Sequence, residues 1–207
     1  MAGKYDAMLE AGFGDPVTDA AHVFRAALKA MSEPGQSHEL ASTPEFATLP
    51  GAACALLLGL ADANTPVWIS PRLDHPALRA NLAFHCNCPM TAHRREAALA
   101  VLDGEEARDL REFNAGEARR PDLSTTLIIS LPALESGAPM SWRGPGISRE
   151  RRVSLPLAAE FWEERARRNA FPLGLDIFFT ANRHLMGLPR TTRTERLEPA
   201  RHAPLAA

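Results

Sequence analysis

Apolar positions recur at helical spacing from Asp19 to Met31, where Val23, Phe24, Ala27, Leu28 and Met31 mark one face and Thr18 or Asp19 can cap the start. Glu33-Pro34-Gly35 stops that helix. The apolar run from Gly51 to Ala61 predicts a buried helix, and Pro66 leads into a short strand through Val67, Trp68 and Ile69. Asp74, with Pro76 in the first turn, predicts the start of a third helix that ends near His85. Strands are expected at Leu99 to Asp103 and Ser124 to Ser130, with a helix from Glu105 to Asn114 between them. Met140 to Arg143 and Arg151 to Leu155 fit a hairpin around the Gly144-Pro145-Gly146 turn. Leu157 to Arg168 predicts an amphipathic helix with Phe161 and Trp162 facing in, followed by the strand LDIFFTA and a return strand HLMGL after Asn182-Arg183. Helix and strand alternate with short turns and no repeat. The expectation is one α/β domain over residues 1–207 with a mixed sheet, and loose ends at 1–14 and 195–207.

Composition narrows the function classes. With 23 basic against 25 acidic residues the net charge is -2, which gives no footprint for nucleic acid or for an anionic membrane surface. The longest apolar run is about half the roughly 20 residues of a membrane span. Three cysteines are no disulfide framework, and the N-terminus lacks an apolar leader core, so a cytoplasmic location is expected.

Familiar catalytic signatures are missing. No glycine-rich stretch precedes Lys-Ser or Lys-Thr, no G-x-G-x-x-G follows a strand, and no G-x-S-x-G elbow is present. A pyridoxal cofactor needs a Schiff-base lysine, but the two lysines are Lys4 near the N-terminus and Lys29 on the expected solvated face of the first helix. His85, Cys86, Cys88 and His93 suggest zinc, yet the one-residue cysteine spacing fits loop or buried cysteines better, and no metal is expected. His22 reads as a boundary histidine making one hydrogen bond.

Two constellations carry more information. Asp176 lies inside the apolar run Leu175, Ile177, Phe178 and Phe179, so it requires a partner, for which Arg183, Arg190 and Arg193 are the candidates. In LPRTTR, Arg190, Thr191, Thr192 and Arg193 follow a strand, where their donors suit either a small anionic ligand or a subunit interface. A ligand cleft would gather Glu33, Arg143, Arg190 and Arg193, with Thr191 and Thr192 as hydroxyl donors.

In order, FRAALKAMSEPG, ADANTPVWIS, FHCNCP, GPGI, FPLGLDIFFT and GLPRTTR, spanning Phe24 to Arg193, resemble the signature blocks of the H-subunit family of the bacterial carbon-phosphorus lyase core complex. The resemblance implies a three-layer α/β/α domain like the large domain of pyridoxal-phosphate-dependent transferases, but without the cofactor. It implies a homodimer that joins the G, I and J subunits. Together these attach an alkyl phosphonate to ribose C1 of ATP, so ATP is a substrate of the complex and no catalytic residue is carried over to this chain. The sequence departs from the family at Cys86 and Cys88, where small or hydroxyl residues are expected, and at Gln36 to Glu39, which is more polar than the family's first strand.

Overall fold

The computed structural model describes residues 8–197. Helix α1 (Pro16–Ser32) starts three residues earlier than the apolar spacing indicates, because Asp15 Oδ1 accepts from the backbone N–H groups of Val17 and Thr18, each at 3.2 Å, and Pro16 occupies the first turn. The expected stop holds, with Glu33 as the C-cap. The following elements are β1 (Ser37–Glu39), α2 (Gly51–Leu60), β2 (Val67–Ile69) and α3 (Pro76–His85). The α3 cap is His75, whose Nδ1 accepts from Ala77 N at 3.2 Å, and not Asp74; that carboxylate is held by a two-pronged pair with Arg79 at 2.6 and 2.7 Å.

Next come β3 (Leu99–Asp103), β4 (Thr126–Ser130), β5 (Pro139–Arg143), β6 (Arg151–Ser154), α4 (Ala159–Arg168), β7 (Asp176–Ala181), β8 (His184–Leu188) and β9 (Arg193–Arg196). The helix expected over Glu105 to Asn114 is a single 3-10 turn at Glu106–Arg108. Asp109 explains the loss: its Oδ1 accepts from the Arg111 backbone N–H at 3.1 Å, a local turn that competes with helical hydrogen bonding. Ala107, Leu110 and Phe113 still reach the core from that loop. Chain expected to be loose from Glu195 is likewise corrected, since Glu195 and Arg196 pair with Ser141 and Met140 in β9. Residues 1–7, including Lys4, and 198–207 lie outside the described residues.

The architecture is α/β, built on a mixed six-stranded sheet in the order β1-β8-β7-β4-β3-β2. Strands β2, β3, β4 and β7 are parallel; β8 returns antiparallel along β7, and β1 pairs antiparallel with β8 at the edge. The polar character of β1 follows from that edge position, where charged and half-exposed side chains discourage further pairing. A second sheet, β6-β5-β9, is antiparallel throughout.

Strand alternation divides the core into two halves. Leu99, Val101, Ile128, Phe178 and Leu185 face α1, α2 and α3; Ala100, Leu102, Leu127, Ile129, Ile177 and Phe179 face α4 and the second sheet. Helices therefore lie on both faces, but on the second face a single helix shares the layer with β-structure. Leu56 and Leu57 of α2 are fully buried, and truncating either to Ala should cost about 2–5 kcal/mol.

Candidate functional site

The second face holds the polar constellations. Strand β8 ends at Leu188, and the chain turns through Pro189 to Thr192 before entering β9, closed by a hydrogen bond from Thr192 N to Pro189 O at 3.0 Å. Asp176, the first residue of β7, holds this turn. Its Oδ1 accepts from Arg190 N at 2.8 Å, and its Oδ2 accepts from Arg190 Nε at 3.1 Å and Nη2 at 2.5 Å. Of the three candidate partners the structure therefore selects Arg190. Arg183 instead donates to the carbonyls of Leu40 and Ala41, and Arg193 has no ion pair among the described residues.

Arg190 is also satisfied elsewhere. Its Nη1 donates to Pro121 O at 2.7 Å and Pro172 O at 3.4 Å, and its Nη2 reaches the Ser124 hydroxyl. Gly174 permits this approach: its φ of +151°, and a Cβ that would lie 2.8 Å from Asn169 Oδ1 and 2.9 Å from Arg190 Cβ, exclude larger residues. With each nitrogen engaged internally, Arg190 has little left to offer a ligand.

Arg165, on α4, had no place in the sequence reading. It sits one turn after Phe161 on the inward face and is 2% exposed. Nη2 donates to Pro189 O at 2.9 Å and Thr192 O at 3.0 Å, and Nη1 reaches Thr194 Oγ1 only at 3.5 Å; Nε has no partner. No ion pair among the described residues includes it. Burial pulls its pKa down to about 10, with the nearby Asp176 charge opposing the shift. The signal in the sequence was an arginine four residues after a buried phenylalanine in an amphipathic helix.

Arg165, Asn169, Phe171, Arg190, Thr191, Thr192 and Arg193 border a cleft of about 640 Å³, within the range of small-molecule sites. The structure thus brings together four of the expected site residues and adds Arg165. Thr191 and Arg193 are exposed, whereas Thr192 is 2% exposed and its hydroxyl has no partner.

Glu33 and Arg143 do not line this cleft. Glu33 caps α1, and Arg151 Nη1 grips the turn through the carbonyls of Glu33 at 3.1 Å and Pro34 at 2.7 Å. The Glu33 carboxylate lies 3.4 Å from His38 Nε2 without hydrogen-bond geometry. Burial lowers the His38 pKa, with Glu33 opposing and Lys29 and Arg151 assisting. Arg143 stands opposite Arg193 in the β5–β9 ladder and is paired with Glu150 at 2.7 Å. The Gly144-Pro145-Gly146 turn links these segments: Pro145 borders the cleft, while a Cβ at Gly146, where φ is +82°, would run into the Ser32 carbonyl.

The cysteine segment is separate from the cleft. His85 stacks on Phe46 with ring centroids 5.2 Å apart, and its Nε2 lies 3.0 Å from Glu10 O. Cys88 is buried and Cys86 half-buried. No cluster of three metal-ligating side chains occurs among the described residues. Cys54 is packed into α2, where its thiol donates to Leu49 O at 3.2 Å and burial pushes its pKa up to about 12. No helix among the described residues is long and apolar enough to cross a membrane.

The cleft's lining holds arginines, hydroxyls and an amide, with Glu195 as the one carboxylate and neither histidine nor cysteine to act as base or nucleophile. Comparison with known proteins gives the chain a family. The chain is 37% identical over 191 residues to the alpha-D-ribose 1-methylphosphonate 5-triphosphate synthase subunit PhnH of Rhizobium meliloti (strain 1021), covering 89% of this chain and 94% of that protein. It is 27% identical over 177 residues to the putative C-P lyase subunit protein HtxG of Stutzerimonas stutzeri, covering 82% of each. A family model, the bacterial phosphonate metabolism protein (PhnH), matches residues 11–195, and the chain belongs to that family.

Proposed function

We propose that this chain is an accessory subunit of the assembly that forms alpha-D-ribose 1-methylphosphonate 5-triphosphate from ATP and an alkyl phosphonate. The observation that carries this reading is the near full-length match to a synthase subunit, at 94% of that protein's length. The second relative, named as a C-P lyase subunit, supports the same assembly. An accessory role is favoured by the cleft's lining, in which no threonine hydroxyl is hydrogen-bonded to Glu195 and no histidine or cysteine is present.

In this reading the chain works in the cytoplasm, beside G, I and J subunits that carry the chemistry. A homodimer is supported by Val17, Phe24 and Leu28 of α1, which are 81%, 47% and 56% exposed at spacings of seven and four residues and form a seam for a second helix. The mixed sheet with helices on both faces fits a likeness to the large domain of pyridoxal-phosphate-dependent transferases. Lys29 lies on the exposed surface of α1, a poor place for a Schiff base, which supports a role without that cofactor.

Co-expression with the G, I and J subunits and affinity purification through a tag on one of them tests the assignment. The chain should co-purify in a fixed ratio through size-exclusion chromatography. Its recovery alone, with the other subunits assembled without it, would refute the role.

A second reading, a chain that binds a nucleotide or phosphonate independently at its dimer interface, draws on the cleft beside Arg165, and it requires a dimer formed through the α4 face and not along α1.

A further inference from the structure

Strand β9 is an edge of the second sheet, and its outer side is unpaired among the described residues. Leu197 N donates to Pro139 O at 3.1 Å, which continues the register in which Arg196 stands opposite Met140 and Thr194 opposite Trp142. Hydrogen-bonded pairs alternate along an antiparallel ladder, so Arg193, Glu195 and Leu197 bond to β5, while the backbone N–H and C=O groups of Thr194 and Arg196 point away from it. Those groups meet no other backbone among the described residues. The carbonyl of Thr192, next along the same side, is already taken by Arg165 Nη2 at 3.0 Å. Thr194 is half-buried and Arg196 exposed, which leaves the edge within reach of another chain.

Beside this edge runs a groove whose far wall is α4. Thr194 and Ala166 border both the cleft of about 640 Å³ and a neighbouring cavity of about 350 Å³. Met140, Leu157 and Trp162 give the smaller cavity an apolar lining, and Arg196 stands at it. The four residues of β9 span about 13 Å, and an added strand would lie about 4.8 Å away, on the side where the groove is open.

Charge selects the occupant. Arg193 and Arg196, three residues apart and so on opposite faces of β9, are both exposed and have no ion pair among the described residues. Glu195, the one carboxylate of the strand, lies near Arg143, and Glu163 on the α4 wall is paired with Arg167 at 3.4 Å. A second copy of β9 would bring two more arginines to an edge that is already net basic. Charges on an edge strand discourage pairing with like strands and admit an oppositely charged one. An extended acidic segment with one apolar side chain satisfies the backbone groups, the arginines and the apolar cavity together.

We propose that β9 is a docking edge, to which an acidic extended segment of another subunit adds as a further strand of the second sheet, with an apolar side chain in the cavity beside Trp162. The proposal rests on the assembly role and names the surface that serves it.

Hydrogen exchange of the full chain, alone and assembled with the G, I and J subunits, tests it. The Thr194 and Arg196 amides should exchange fast in the chain alone and at least about tenfold more slowly in the assembly. Arg196→Pro removes an N–H that bonds nothing within the sheet, so it should melt close to the parent, yet its recovery with the tagged partner should fall about tenfold. Arg196→Ala keeps that N–H and should lose less. If Arg196→Pro melts lower than the parent, the amide exchange decides alone. An assembly in which both amides exchange as in the free chain overturns the proposal and leaves the assembly role standing, as does an Arg196→Pro chain that melts and co-purifies like the parent. Protection in the chain alone overturns it too: protection that grows with concentration assigns the edge to a second copy, and protection that does not assigns it to this chain's own residues. Failure of the chain to co-purify at all refutes the assembly role and the docking edge with it.

Discussion

Arg190 and Arg165 hold the same turn, Pro189 to Thr192, in opposite states of completion. Arg190 belongs to the turn and is held by a carboxylate, a hydroxyl and two carbonyls. Arg165 reaches it from α4 with no ion pair among the described residues and one orphaned nitrogen. The first arrangement has the features of a structural clamp. The second leaves a buried cation without an ion pair, an arrangement that costs stability. The difference teaches that an arginine-rich motif must be read donor by donor: Arg190 and Arg193 are three residues apart, yet one is engaged and the other exposed.

The largest effect should come from breaking the complete clamp. Asp176→Ala strands the Arg190 guanidinium and the Arg190 backbone N–H and should cost about 2–3 kcal/mol in urea denaturation, less than for a fully buried pair because Asp176 retains some exposure. An unchanged midpoint would show that the pair does not hold the turn. Arg165→Met should cost less, about 1 kcal/mol, because the loss of two hydrogen bonds to carbonyls is offset by removal of an unpaired buried charge. A loss as large as that of Asp176→Ala would erase the contrast between the two arginines.

The smallest effect belongs to the Glu33–His38 pair. A histidine whose pKa is depressed in the fold contributes stability that is present above its unfolded pKa of about 6.5 and is lost as pH falls through the folded value. Thermal unfolding between pH 7.5 and 5 should show that decline in the parent. The decline should be shallower in His38→Gln, and equal slopes would remove His38 from the account.

Much of this was legible in the chain. The helices α1 and α2, the strand at Val67–Ile69 and the β7–β8 hairpin follow from periodicity, although of the face expected for α1 only Val23 and Ala27 are buried, with Ala30, while Phe24 and Leu28 are exposed. The place of Asp176 within an apolar run pointed to an arginine partner, and the turn after the returning strand supplied Arg190. The misses have local causes. Asp109 diverts its segment from helix to turn, and β9 escaped notice because Arg193 to Arg196 is a polar edge strand without an apolar alternation. Arg165 was hidden because a charged residue in an amphipathic helix is normally read as facing solvent, and only the tertiary packing places it against the turn. Glu33 and Arg143 were grouped with the cleft on charge alone, whereas their segments position its neighbours.

The central claim is that the chain serves an assembly and does not perform the chemistry alone. Adenine release from ATP in the presence of methylphosphonate, measured for the purified chain and for the chain combined with the G, I and J subunits of the proposed assembly, tests it most directly. The account predicts release from the combination and none from the chain alone; release by the isolated chain would contradict it.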